Sequence, residues 1–419
     1  MWGMSDEPLQ TGALFSQLGI APVLLEVLDR LKFTHPTPIQ EKAIPPAIQG
    51  KDVVGIAQTG TGKTLAFGIP MIQSVGKAGG QGLVVLPTRE LALQVAEVLS
   101  KVGRDLHLRT CVLIGGTGYG AQIDSLRKNP HIIIATPGRL IDHLKQKTAS
   151  LSHVNVVVFD EADRMLDMGF APQIKEIFNA LPKERQTMLF SATMPAEIMK
   201  MATGHMKLPI RIEVAPAGTT AERVTQEIFI IGKEERTRLL DKLLSQYQAT
   251  TLIFMRTKHG AKKLVRSIRA MGHTVAELHS NRSLGQRKDA LEGFRSGKYR
   301  VLVATDIASR GIDVTGIGLV LNYDLPTSSE DYVHRIGRTA RAGAGGHAIS
   351  FVAPEQRRDL KSIERLIRQT LPVSPIPELP PRRAEPIMPP RGPIPSRSRS
   401  PRSSSGYGYR GSGGNRYRR

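Results

Sequence analysis

Two short runs hold residue types that could do phosphate chemistry. The first, AQTGTGKT at residues 57–64, ends an apolar stretch and opens a helical pattern, the setting a phosphate-binding loop requires. Gly60 and Gly62 let backbone N–H groups approach phosphate oxygens where a Cβ would obstruct them. The helix N-terminus adds the positive end of its dipole. Lys63 can reach β- and γ-phosphates, and the Thr64 hydroxyl can ligate Mg²⁺. Ala57 stands where the usual pattern has its first glycine. The second run, VVVFDEAD, loses its apolar character at Asp160, so a carboxylate falls at a strand's C-terminal end, where ligands bind in doubly wound sheets. Asp160 there could hold Mg²⁺, and Glu161 could orient or deprotonate an attacking water.

These groups need a sheet to align them. Apolar runs at 53–57, 82–87, 131–137, 154–161 and 186–193, mostly rich in β-branched residues, each precede a turn and a helical period. That alternation predicts an α/β fold with a parallel sheet covered on both faces. Residues 214–221, within EVAPAGTTA, lose the apolar period and read as a linker. The alternation restarts at 250–255, 273–279, 299–305, 317–324 and 346–352, and a helical pattern closes it. The expected division is therefore 1–213, a linker at 214–221, a second unit at 222–371, and a tail at 372–419.

At this point the residues carry a family pattern. DEAD at 160–163, with the other motifs in order over about residues 15–352, resembles the DEAD-box RNA helicases. The resemblance implies two tandem RecA-like parallel-sheet domains, with ATP and Mg²⁺ as cofactors and RNA as partner. It implies a nucleotide site of Phe15, Gln40, Thr59, Gly60, Thr61, Gly62, Lys63, Thr64 and Asp313, with Gln40 reading adenine and Asp313 holding ribose. Arg338 and Arg341, in HRIGRTAR, would be fingers on the γ-phosphate, so that hydrolysis waits for domain closure. Asp163, Ser191, Thr193 and His334 would couple hydrolysis to closure. Arg89, Gly116, Thr136, Arg139, Arg287 and Thr305 would grip RNA through its backbone. The sequence departs from the family at Lys32, Ser280 and Ala340, where glycine is usual, and at Leu284, often glutamine.

Charge agrees with a polyanionic partner. The net charge is +21, and from Arg382 onward ten Arg stand against Glu385 alone, so the tail supplies about +9 of it. Pro, Arg, Ser and Gly dominate there, with Tyr407, Tyr409 and Tyr417 interleaved. Such a segment cannot bury enough apolar surface to order itself, and it suits a sequence-tolerant RNA tether. No run of eighteen apolar residues exists, so no membrane span is expected. Cys111, the sole cysteine, excludes an intramolecular disulfide, and its apolar setting suggests a buried hydrophobe. The expectation is a monomeric motor in the cytoplasm. Other readings stay open: a non-catalytic ATP-dependent RNA clamp, a DNA-directed motor, and a nucleic-acid chaperone driven by its tail.

Overall fold

The computed structural model describes residues 12–57, 60–214, 224–306, 316–339 and 346–381. Two all-parallel sheets organise them. The first has seven strands: β1 (Val53–Ile56), β2 (Gln81–Val85), β3 (Thr110–Leu113), β4 (Ile132–Ala135), β5 (Val154–Asp160), β6 (Gln186–Ser191) and β7 (Ile210–Glu213). The second has six: β8 (Val224–Ile230), β9 (Thr251–Met255), β10 (Val275–Leu278), β11 (Val301–Thr305), β12 (Leu319–Asn322) and β13 (Gly346–Val352).

The spatial orders are β3-β4-β2-β5-β6-β1-β7 and β10-β11-β9-β12-β13-β8. Along β5, Val156 and Val158 enter one apolar cluster with Phe67, Leu99 and Phe190, while Val157 and Phe159 enter another with Leu83, Ile177 and Leu189. A strand buried on both faces needs a continuous apolar run, which is what its sequence supplies. Strand β6 lies between β1 and β5, pairing Ile56 with Ser191 and Phe190 with Asp160. The phosphate loop, Ser191 and the first acidic residue therefore leave the sheet at one edge.

All ten strands expected from apolar runs form, and three more appear. β3 was visible only as an apolar stretch around Cys111, which is buried as expected. β7 is an edge strand with three of its four residues exposed, so burial left little pattern to read. β8 alternates partly, as VTQEIFI, because it too lies at an edge.

The ordered chain also runs past residue 371, where a disordered tail was expected to begin. Val373 bridges β8 at Ile228, whose N–H donates to the Pro372 carbonyl at 3.0 Å and whose carbonyl accepts from Ser374 N–H at 2.9 Å. Arg238 Nε then donates to the Pro380 carbonyl at 2.7 Å, and Leu379 packs on the second core. Residues 372–380 thus form a strap whose start, 372–374, covers an otherwise open sheet edge, a protection that the Pro-rich composition hid. The expected linker, apart from Val214, and the tail from Arg382 lie outside the described residues.

Candidate nucleotide and RNA site

Helix Lys63–Ala78 starts at Gly62, whose φ is +89°. A Cβ at Gly62 would lie 2.3 Å from Gln40 Nε2, so both conformation and space demand glycine there. Gln40 Nε2 donates to the Gly62 carbonyl at 3.0 Å, and its Oε1 accepts from Thr37 N–H at 2.9 Å. Thr37 Oγ1 donates to the Thr61 carbonyl at 2.7 Å. Gln40, expected to read adenine, is therefore also a brace of the phosphate loop. Phe15 is buried in the same core cluster, and Thr64 is half-buried in the helix's first turn. Gly60, like Gly62, has φ +89°. Thr59 lies outside the described residues.

Lys63 projects into a buried charged cluster. Its Nζ lies 2.9 Å from Glu161 Oε1 and 3.7 Å from Asp160 Oδ1. Burial pulls the ammonium down, but Glu161 and Asp160 outweigh that and hold it above its usual pKa. Burial pushes Asp160 up to about 6 against the attraction of Lys63, with Glu161 adding to the rise. Glu161 goes the other way: Arg164 and then Lys63 overcome burial and hold its carboxyl well below the usual range. Glu161 has left-handed backbone at φ +56°, a conformation costing about 1–3 kcal/mol away from glycine, at the start of helix Ala162–Asp167.

Asp160, Glu161 and Asp163 are all buried, as are Lys63 and Arg164. Three carboxylates against two cations leave one negative charge in excess. A divalent cation fits that excess. Among the described residues no group of three or more His, Cys, Asp or Glu could hold a metal alone. One or two protein ligands completed by phosphates and water is the usual arrangement for Mg²⁺.

Asp163 is the hub of the coupling residues. Its Oδ2 accepts from Ala192 N–H at 3.1 Å, Thr193 N–H at 2.9 Å and Thr193 Oγ1 at 2.9 Å. Its own N–H donates to Ser191 Oγ at 3.1 Å. His334, on helix Ser329–Ile336 of the second sheet's unit, reaches this cluster: its Nδ1 lies 3.0 Å from Arg164 NH2. Burial, then Arg164, pushes His334 down to about 4. A neutral ring with Nδ1 as acceptor follows, since arginine can only donate. Arg338 is buried within electrostatic range of His334. Arg341 and Asp313 lie outside the described residues.

Of the RNA candidates, Arg89 lies over the loop backbone, where a Cβ on Gly116 would meet its NH1 at 2.2 Å. Arg139 rests 5.1 Å from the Tyr119 ring centroid, with NH1 buried and lacking a hydrogen-bond partner. Thr136 is buried at the end of β4, and Thr305 is half-buried at the end of β11. Arg287 NH2 lies 2.6 Å from Glu90 Oε2 on the first domain, with side-chain exposures of 11% and 10%. Leu284, one turn earlier, packs on the first domain's core cluster, which explains an apolar residue where the family often has glutamine.

Sequence reasoning passed over three buried charges. Arg164 belongs to no familiar motif position. Glu90 reads as an ordinary solvated residue of a helix's first turn. Arg335 holds Asp306 with Nε at 2.6 Å and NH2 at 2.8 Å, and also bonds the Asn322 side chain and the Asp324 carbonyl. Only three-dimensional proximity could pair them.

A braced glycine loop, a lysine facing two strand-end carboxylates, and a second sheet docked against them define a two-domain nucleoside triphosphatase motor. Two family models match: DEAD/DEAH box helicase over residues 37–201 and helicase conserved C-terminal domain over 235–343. The ATP-dependent RNA helicase CshA of Listeria monocytogenes is 42% identical over 360 residues, 85% of this chain and 69% of that protein. Among solved structures, S. cerevisiae Dbp5 bound to RNA and ADP BeF3 matches with TM-score 0.77 and 30% identity, covering 87% of this chain and 96% of that one. Mss116p bound to ssRNA and AMP-PNP matches with TM-score 0.80 and 27% identity, covering 88% and 81%. The chain belongs to the DEAD-box ATP-dependent RNA helicases. It is an RNA-stimulated ATPase that unwinds or remodels RNA.

Proposed function

We propose that this helicase works as a gated clamp, with ATP at the first domain's phosphate loop and the second domain completing the catalytic site. Lys63 binds the β- and γ-phosphates, while Thr64 and Asp160 would hold Mg²⁺, which neutralises phosphate charge. Glu161 orients the attacking water. Arg338 and Arg341 stabilise charge on the transferring phosphoryl group once the domains are docked. Asp163, Ser191, Thr193 and His334 make that docking felt at the carboxylates. Phe15, Gln40, the loop residues 59–62 and Asp313 position the nucleotide. Arg89, Gly116, Thr136, Arg139 and Thr305 hold the RNA backbone without reading bases.

The observation that carries this reading is a continuous run of contacts from Lys63 to Glu161, Arg164 and His334, each between 2.9 and 3.0 Å. It joins the phosphate loop to the second sheet's unit through buried charge. The working division is 1–213 and 222–371 for the two domains, with the strap continuing to 380 and a monomer as the motor. The arginine-rich segment from 382 acts as an auxiliary RNA tether, and the protein works in the cytoplasm. Phosphate release from Glu161→Gln, with and without RNA, tests the core of it. ATP and RNA binding should persist while turnover nearly stops; ordinary turnover would remove Glu161 from its role.

A further inference from the structure

Arg164 follows DEAD directly, and no motif gives it a task. Its position is nonetheless costly: the side chain is 2% exposed, and a guanidinium cannot shed its proton to relieve burial. It lies three residues, about one helical turn, beyond Glu161, so its side chain folds back over that carboxylate. Nε stands 3.0 Å from Glu161 Oε2, and NH2 stands 3.0 Å from His334 Nδ1. One planar group therefore touches the first domain's water-orienting carboxylate and the second domain's helix at once. Because the guanidinium is rigid, fixing NH2 on His334 fixes the direction in which Nε–H points.

The two oxygens of Glu161 are divided between partners. Oε1 faces Lys63 at 2.9 Å, and Oε2 faces Arg164. Nucleotide phosphates compete for Lys63, which frees Oε1 to accept from water. Oε2 stays in ion-pair contact, without a directed hydrogen bond from Nε, with a group whose orientation depends on the second domain. Lysine could not substitute fully, since a single ammonium lacks the planar fork.

We propose that Arg164 is a positioning residue for hydrolysis: it sets the plane of the Glu161 carboxylate only when His334 is docked, making water activation depend on domain closure. The proposal rests on the reading of Glu161 as the water-orienting group. It is distinct from the arginine fingers, which act on the phosphoryl group.

The test is RNA-stimulated steady-state ATP hydrolysis by the full chain for Arg164→Lys, His334→Phe, His334→Asn and the Arg164→Lys/His334→Phe double variant. Unfolding midpoints are measured alongside. A lost hydrogen bond to a charged group corresponds to about a tenfold to hundredfold effect. Arg164→Lys and His334→Phe should each lower kcat by about that factor, with KM for ATP within about threefold. The double variant should be no slower than the worse single one. His334→Asn, whose amide oxygen can still accept from Arg164, should recover most of the rate. Wild-type stimulation in Arg164→Lys, multiplying losses in the double variant, or equal failure of Asn and Phe at 334 would each overturn the relay. Should Arg164→Lys fold poorly, the Asn-against-Phe comparison decides alone. Glu161→Gln run in parallel separates the two readings. If it turns over normally, the carboxylate assignment fails; if it is dead while Arg164→Lys is normal, only the relay fails.

Discussion

The Glu90–Arg287 pair allows a test in which the two possible roles of Arg287 predict opposite signs. The pair spans the domains at 2.6 Å with each side chain about nine-tenths covered. Burial depresses Arg287, Glu90 opposes that, and Arg89 adds to it. Glu90→Ala would leave the Arg287 guanidinium buried against the first domain beside Arg89 with its counter-charge gone. Truncating one partner of such a pair costs about 2–5 kcal/mol. Opening the clamp would return Arg287 to water, so the cost falls on the closed form. At about 1.4 kcal/mol per decade, closure should become roughly thirtyfold to a few thousandfold less favourable. The assay is anisotropy of a labelled single-stranded RNA with a non-hydrolysable ATP analogue, which reports the closed complex. Glu90→Ala should weaken that binding, Arg287→Ala should also weaken it, and the double variant should lose less than the two added together. If Arg287 instead grips RNA, releasing it from Glu90 should tighten binding. Unchanged or tighter binding by Glu90→Ala would refute the latch.

Three other outcomes follow from the geometry. Gly62→Ala should raise KM for ATP by about tenfold or more, because φ of +89° and the 2.3 Å approach to Gln40 Nε2 both oppose a side chain; an unchanged KM would show the loop can reshape freely. His334 is neutral where it meets Arg164, and its pKa falls from 6.5 to about 4 on burial, so the undocked form binds the extra proton between those values. Docking is then fully favoured above pH 6.5 and weakens as pH falls towards 4; RNA-stimulated ATPase should show that acid limb, and His334→Asn should flatten it. Deleting 382–419 removes ten arginines, each worth about 0.7 in the slope of log affinity against log salt if it neutralises a phosphate on a single strand. A flatter slope with RNA-free ATPase intact is expected, and an identical slope would dismiss the tether.

The sequence disclosed most where burial and chemistry act on neighbouring residues. Central strands such as VVVFD are apolar on both faces, so β5 was plain, and its carboxylate ended up at the sheet edge beside the loop that β1 delivers. Edge strands were obscure because one side of Ile210–Glu213 needs no apolar cover. The strap at 372–380 was hidden for another reason: its backbone is hydrogen-bonded to β8 and to the Arg238 side chain, which leaves no trace in composition. Pairings across the chain were the least legible. Nothing in SLGQRK or PTREL says that Glu90 will meet Arg287, nor in DEADR that Arg164 will meet His334, 170 positions away. Leu284 shows the converse, an apparent lapse from a family motif that contact with the first core accounts for.

The central claim is that the second domain's guanidinium groups complete a site begun by Lys63, Asp160 and Glu161. Single-turnover hydrolysis by Arg338→Ala and Arg338→Lys, at saturating ATP and RNA, tests it most directly, with ATP binding measured on the same preparations. The account predicts a chemical step slower by about 10³-fold or more while ATP still binds. A rate within tenfold of the native protein, with both ligands bound, would contradict it.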